Sequence, residues 1–286
     1  HLVEHHSDAA SRRFSLEPAT RPRALSNPPA DLKRHAAALT MVQPGEGIAI
    51  VGLSGRYPKA RTLREYWTNL TQGLDCISEI PPQRWDHTRY FDSVRGKPGK
   101  TYSKWGGFID GVAEFDPMFF GMTPREAALI DPQERLFLQT AWHAVEDAGY
   151  TRESLGAACA RKVGVFVGVM YGEYQLYPGL VDGLSLSGSY GTIANRVSYV
   201  LDLHGPSMAL DTMCSSSLTA IHLACESIRR GECEAAIAGG VCLSLHPNKY
   251  VTHALLGMAA SDGRCHSFGR GGDGFVPGEG VGAVLL

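Results

Sequence analysis

The order of apolar and polar positions changes period several times along the chain. "GIAIVGLSGRYP" is an apolar run of strand length closed by Gly and Pro. Thr62 followed by Glu65 is a capping-box pattern, and Leu63, Tyr66, Trp67 and Leu70 recur at helical spacing before Gly73, which predicts a helix packed on one face. Thr123, Pro124 and Glu126 repeat the start signal. Asp131, Pro132 and Glu134 give it again ahead of Phe137, Ala141, Ala144, Val145 and Ala148, with Gly149 as the stop, so two helices meet end to end. "KVGVFVGV" is a strongly β-branched and apolar run bounded by Gly, the pattern of a strand buried on both faces.

A helix over 190–201 carries Ile193, Val197 and Val200. It is followed by the strand "PSMALDTM", a helix from about 215 to 230, the strand "AAIAGGV" and the closing strand "VGAVLL". Strands alternating with helices predict an α/β protein whose mostly parallel sheet is covered on both sides. No repeat at solenoid periods is present. Residues 1–45 are rich in Pro, Arg and His with Phe14 as their one aromatic, and read as a linker with a short helix near 30–40.

Composition narrows the function classes. A chain of 286 residues that is 44% hydrophobic and 20% charged can bury a core, and a net charge of -2 asks for neither nucleic acid nor an anionic membrane surface. No apolar stretch reaches the roughly 20 residues of a membrane span, so the expected compartment is the cytoplasm. Seven cysteines without a CxxC pair predict no disulfide framework, and Cys225 and Cys242 read as small core residues. His5 and His6 lack partners at ligand spacing, so no metal site is expected. The start at His1 and the stop within a strand lead to the expectation that the chain is a piece of something longer.

The chemistry concentrates in "ALDTMCSSSLTAIHLACESIRRGEC". Leu218, Ile221, Cys225 and Ile228 form one apolar face of the helix, whose first turn holds Ser215, Ser216 and Ser217. Cys214 therefore precedes the first turn, where free N–H groups and the positive end of the helix dipole favour a thiolate and can hold an oxyanion. A sharp strand-to-helix turn would lift the sulfur out of the packed layers. The competing reading is one more buried cysteine, but a core cysteine has no need of a helix N-terminus. For a base, His222 lies two turns along the same helix and cannot fold back, and His143 and His204 read as surface residues. His246, His253 and His266 lie in the irregular segment after "AAIAGGV", and the pattern assigns none of them. "FGRGGDGFVPGEGVGAVLL" lacks the GK[ST] ending and leads into a strand, so it reads as tight turns near a site rather than a phosphate loop.

The segment "DTMCSSSLTAIHLACESIRRGECEAAIAGGV" resembles the active-site region of the ketosynthase domains of modular polyketide synthases. "IAIVGLSGRYPKA", "YWTNLTQGLDCISEIPPQRWD", "GGFIDGVAEFDPMFFGMTPREAALIDPQERLFLQTAWHAVEDAGY", "GTIANRVSYVLDLHGPSMALDT" and "DGFVPGEGVGAVLL" agree, so the likeness covers residues 46–286. The resemblance implies a thiolase-like layered α/β fold, α-β-α-β-α in the complete domain, of which this chain supplies the first half. It implies a decarboxylative Claisen condensation in which Cys214 accepts the acyl chain and a malonyl unit on an acyl carrier protein supplies the carbanion.

No intrinsic cofactor is implied, phosphopantetheine being carried by the acyl carrier protein; a homodimer and neighbouring megasynthase domains are expected. The HGTGT-like and GHxE-like motifs that supply the family's two histidines do not occur here, so the fragment alone is expected to lack full activity and to leave an apolar face uncovered. Met213 stands where most members have Ala. With "FVPGEG" it leans toward assembly lines whose acyltransferase is a separate protein, and it reads equally as a residue narrowing the acyl pocket or as a flexible core filler. The alternatives are a non-elongating acyl-binding or docking domain and a free-standing fatty-acid ketosynthase; the flanking residues fit no cysteine-protease signature.

Overall fold

The sequence runs described above fold, in chain order, into β1 (Gly52–Arg56), α1 (Leu63–Thr71), β2 (Ser78–Glu79), β3 (Trp105–Gly106), α2 (Pro124–Leu129), α3 (Pro132–Asp147), α4 (Arg152–Ala158), β4 (Val163–Val169), α5 (Gly191–Leu201), β5 (Ser207–Leu210), α6 (Ser216–Arg229), β6 (Ala235–Cys242), α7 (Asn248–Leu255) and β7 (Gly280–Leu285). The computed structural model describes residues 47–177, 186 and 188–286. The linker reading of 1–45, its short helix and His5 and His6 lie outside the described residues.

All seven residues of β4 are buried, as an apolar run of valine, glycine and phenylalanine allows. β4 sits inside a five-stranded sheet of order β1-β7-β6-β4-β5. It pairs in parallel with β5 and β6, whereas β7 is antiparallel to both β6 and β1. Four strands thus share one direction and β7 opposes them. The connection from β6 passes through α7 and the glycine-rich segment and returns at the end of the sheet where β6 finished, which forces the reversal. The two-stranded β2–β3 ladder lies apart from this sheet.

One face of the sheet is covered by α3 and α5. Phe137, Ala141, Ala144 and Val145 of α3 and Ile193 and Val197 of α5 join Val165, Ile237, Val281 and Leu285 in the main core. The opposite face is covered by α6 over β4 and β6 alone, so Leu53 of β1 and Val284 of β7 lie beside it without a lid among the described residues.

Two expectations need correction. β1 begins four residues after Ile48, leaving Ile50 and Val51 exposed. Glycine decides the frame: a Cβ at Gly52 would stand 2.2 Å from the Ala144 carbonyl oxygen, so the glycine-bearing segment is the one that fits beneath α3. Helix α1 buries no residue, with Trp67 67% and Leu70 53% exposed. Its Thr62 cap forms as the sequence predicts, but no described element covers the apolar face; only Tyr66 finds an aromatic partner, stacking on Tyr57 at 4.2 Å.

Asp131 caps α3, accepting the Gln133 N–H at 2.8 Å, and burial pushes its carboxyl up to about 6. A carboxyl raised on folding binds its proton more tightly in the folded chain, so its contribution is fully present below about pH 4 and is lost as pH rises through 6. Wild type should therefore lose about 2–3 kcal/mol across that window from this group. Asp131→Asn keeps the capping oxygen. Urea unfolding at stepped pH should show that dependence flattened in the variant.

Candidate active site

The junction between β5 and α6 is a strained elbow, and the serines after Cys214 hold it. Met213 adopts φ +60°, a left-handed conformation that costs a side-chain-bearing residue about 1 kcal/mol or more. Its N–H donates to Asp211 Oδ1 at 2.8 Å, and its carbonyl accepts from the Ser216 N–H at 3.1 Å and the Ser216 hydroxyl at 2.6 Å. The Thr212 N–H donates to Ser216 Oγ at 2.9 Å, and the Ser215 hydroxyl donates to the Thr212 carbonyl at 2.8 Å. Ser215 and Ser216 thus close the turn, and Cys214 at its apex is exposed.

The first turn of α6 rests directly on the sheet. A Cβ at Gly168 of β4 would come within 2.5 Å of backbone atoms of Ser216 and Ser217, and one at Gly240 of β6 within 2.9 Å of the Ser217 Cβ. Only glycine permits that approach. The same closeness selects small residues along the seated side of the helix, where Ser216, Ala220, Ala224 and Ser227 are buried. This corrects the apolar stripe read from the sequence: Leu218 is 71% exposed, and Ile221, Cys225 and Ile228 are only partly buried.

Cys214 opens into a cavity of about 760 Å³ at the carboxyl ends of β4 and β6, where ligands of α/β sheets characteristically bind. Met213, Tyr171, Lys249, His253 and Phe275 share its wall. Met213 is 62% exposed and lines the cavity, which places it beside Cys214. Cys242 also lines the cavity and is not a bland core residue; its sulfur accepts from Lys249 Nζ at 3.3 Å. Cys225 packs against the small cluster beneath α6.

Among the three histidines left open, His253 alone belongs to the cavity wall. It is 5% exposed, and its Nε2 lies 3.0 Å from the Tyr171 hydroxyl. Burial, aided by the Lys249 ammonium, holds its imidazole below the usual histidine range. The Nδ1 of His246 accepts the Asn248 N–H, while His266 pairs with Asp262 at 2.8 Å on the surface. His143, His204 and His222 are exposed, as read.

Several site residues escaped the sequence reading. Lys249 is buried, with Nζ 3.2 Å from Ser244 Oγ and 4.8 Å from the Tyr171 ring centre. Glu173 accepts the Lys249 N–H at 2.9 Å, and burial pushes its carboxyl up. Glu279 of the glycine-rich segment accepts from Arg84 at 2.8 Å and from the N–H groups of Ile109 and Ser244, both at 3.0 Å. That carboxylate pins the turns beside the cavity, in keeping with the tight-turn reading. "NKY" and "MYGEY" carry no spacing signal that would have singled these residues out. No group of His, Cys, Asp and Glu suited to a metal is found among the described residues, nor any helix long and apolar enough to cross a membrane.

Known proteins share this arrangement. The family profile described as "Beta-ketoacyl synthase, N-terminal domain" matches residues 45–286. Polyketide synthase PksL of Bacillus subtilis is 62% identical over 249 residues, which is 84% of this chain and 6% of that protein. Polyketide synthase ThaG of Burkholderia thailandensis is 59% identical over 273 residues, 94% of this chain and 5% of that protein. Among solved structures, the OzmH KS7 oxazolomycin ketosynthase domain of Streptomyces albus JA3453 superposes with a TM-score of 0.78 at 57% identity, covering 82% of this chain and 41% of that one. The module 6 ketosynthase of the Bacillus subtilis bacillaene synthase gives 0.75 at 44% identity, covering 83% and 39%. The chain thus spans about two fifths of the ketosynthase structures and a small part of the curated relatives.

Alkylation followed by peptide mass mapping should modify the exposed Cys214 and Cys265 first. Cys233, 1% exposed and with its thiol pushed up by burial, should react last. Gly168→Ala should displace the first turn of α6, cost about 2 kcal/mol or more in unfolding free energy, and change the Cys214 alkylation rate while leaving that of Cys265 unaltered.

Proposed function

The chain belongs to the beta-ketoacyl synthase family, as part of its N-terminal domain and with the thiolase-like fold, and from that premise we propose that Cys214 accepts the growing acyl chain during polyketide elongation. The observation that carries this reading is an exposed sulfur at a strained strand-to-helix elbow, opening into a cavity whose other walls are largely apolar. In the proposed step the Cys214 sulfur attacks the carbonyl of an acyl thioester borne on the phosphopantetheine arm of an acyl carrier protein. The new C–S bond forms as the carrier's C–S bond breaks, and the carrier thiol leaves with the proton. The N–H groups at the amino end of α6 are suited to the oxyanion that forms between these events.

The second step, loss of carbon dioxide from a malonyl unit and attack of its carbanion on the Cys214 thioester, belongs to the same proposal. The histidine motifs that support it in the family have no counterpart in these 286 residues, so the present side chains account for acyl acceptance alone. An assembly line with a separate acyltransferase, further synthase domains and a cytoplasmic setting complete the reading. A second copy of the chain fits as well: among the described residues β5 pairs only with β4, which leaves its outer edge to extend the sheet, with Tyr199 of α5 80% exposed nearby in sequence.

Incubation with an acyl thioester should add the acyl mass to the Cys214 peptide, and Cys214→Ala should abolish that increment. Met213→Ala should widen the entrance and raise the relative acylation rate with a branched donor about tenfold over a linear one. An unchanged donor preference would remove Met213 from substrate selection.

A further inference from the structure

The cavity wall is largely apolar, and among its polar residues Tyr171 and His253 meet each other, the Tyr171 hydroxyl lying 3.0 Å from His253 Nε2. Counting protons there gives an unused donor. A neutral imidazole and a phenol bring two polar hydrogens, and their mutual hydrogen bond consumes one. If the phenol donates to Nε2, the other proton sits on Nδ1, a buried atom with no hydrogen-bond partner in the described residues. If Nε2–H donates instead, the phenolic proton is left over. The first tautomer leaves its spare donor on a buried atom, whereas the second leaves the phenolic proton of Tyr171, which lines the cavity, as a donor that a ligand can take.

Among the described residues no neighbour accepts a hydrogen bond from that donor. Lys249 Nζ is itself a donor, already directed at Cys242 Sγ, Ser244 Oγ and the Leu243 carbonyl. Phe275 packs against the imidazole with ring centres 5.1 Å apart and offers no acceptor. The Tyr171 backbone is fixed independently, its carbonyl accepting from Gln133 Nε2 at 2.6 Å, so the phenol is held in place from behind. Burial of both groups keeps the imidazole neutral and the phenol protonated, which the proton count requires.

Resting on the reading of Cys214 as the acyl acceptor, we propose that Tyr171 and His253 form a specificity-determining pair that donates a hydrogen bond to an oxygen substituent, hydroxyl or carbonyl, on the acyl chain. A saturated chain in the same place would leave the donor desolvated and unpaired, which is how a site built to bond an oxygen discriminates against the analogue lacking it. Neither residue exchanges a proton or electrons with the substrate. Their part is to select the chain.

The test uses the full-length polypeptide expressed from its own gene and three N-acetylcysteamine thioesters: butyryl, 3-hydroxybutyryl and 3-oxobutyryl. The readout is the rate at which each acyl mass appears on the Cys214 peptide. Wild type should take at least one oxygenated donor about tenfold faster than butyryl. Tyr171→Phe and His253→Phe should each bring that ratio near one. Because the ratio is taken within each variant, partial loss of folded protein cancels. A wild-type ratio of one, or a ratio that survives both substitutions, overturns the pair's role even though butyryl transfer proceeds. Failure of every donor to modify Cys214 in wild type overturns the acyl-acceptor reading itself.

Discussion

Helix α6 has no side-chain spacer between its first turn and the sheet, and that contact organises the rest of the site. Gly168 and Gly240 remove the atoms that would hold the helix away, and Ser216 and Ser217 occupy the space so released. The chain must then turn from β5 onto the sheet within a few residues, which places Met213 in the left-handed region and Cys214 at the outside of the bend. The strain is offset by hydrogen bonds from Thr212, Ser215 and Ser216 that span the turn. The sulfur is exposed because the helix is pressed close.

The sequence carried the parts of this that depend on neighbours along the chain. A valine-rich apolar run announced β4, a capping threonine announced α1, and a cysteine between an apolar run and three serines announced the elbow. The buried side of α6 was misread because hydrophobicity is a poor guide where packing distance decides. Alanine and serine win the seat while Leu218 faces away. The frame of β1 slipped for the same reason, glycine displacing the more apolar residues before it.

The polar lining of the cavity was not readable at all. Tyr171 follows β4, Lys249 and His253 lie on α7, and Glu173 joins them only because β4 and β6 end side by side. Pairing across 76 residues of sequence leaves no spacing for a pattern to detect. Lys249, buried with neighbours on Cys242 and Ser244, and Glu279, taking Arg84 and two backbone N–H groups, are costly to bury and are satisfied by bonds that fix the loops around the cavity. Polar burial here sets the shape of the walls.

The seat of α6 also divides the site into a part that can drift and a part that cannot. Enlarging Gly168, Gly240, Ala220 or Ala224 would lever the nucleophile out of place, so the floor beneath Cys214 leaves little room for variation. Tyr171, His253, Met258 and Phe275 line the cavity without taking part in the contact between α6 and the two sheet glycines. A change at those side chains would reshape the cavity while the floor beneath Cys214 keeps its form.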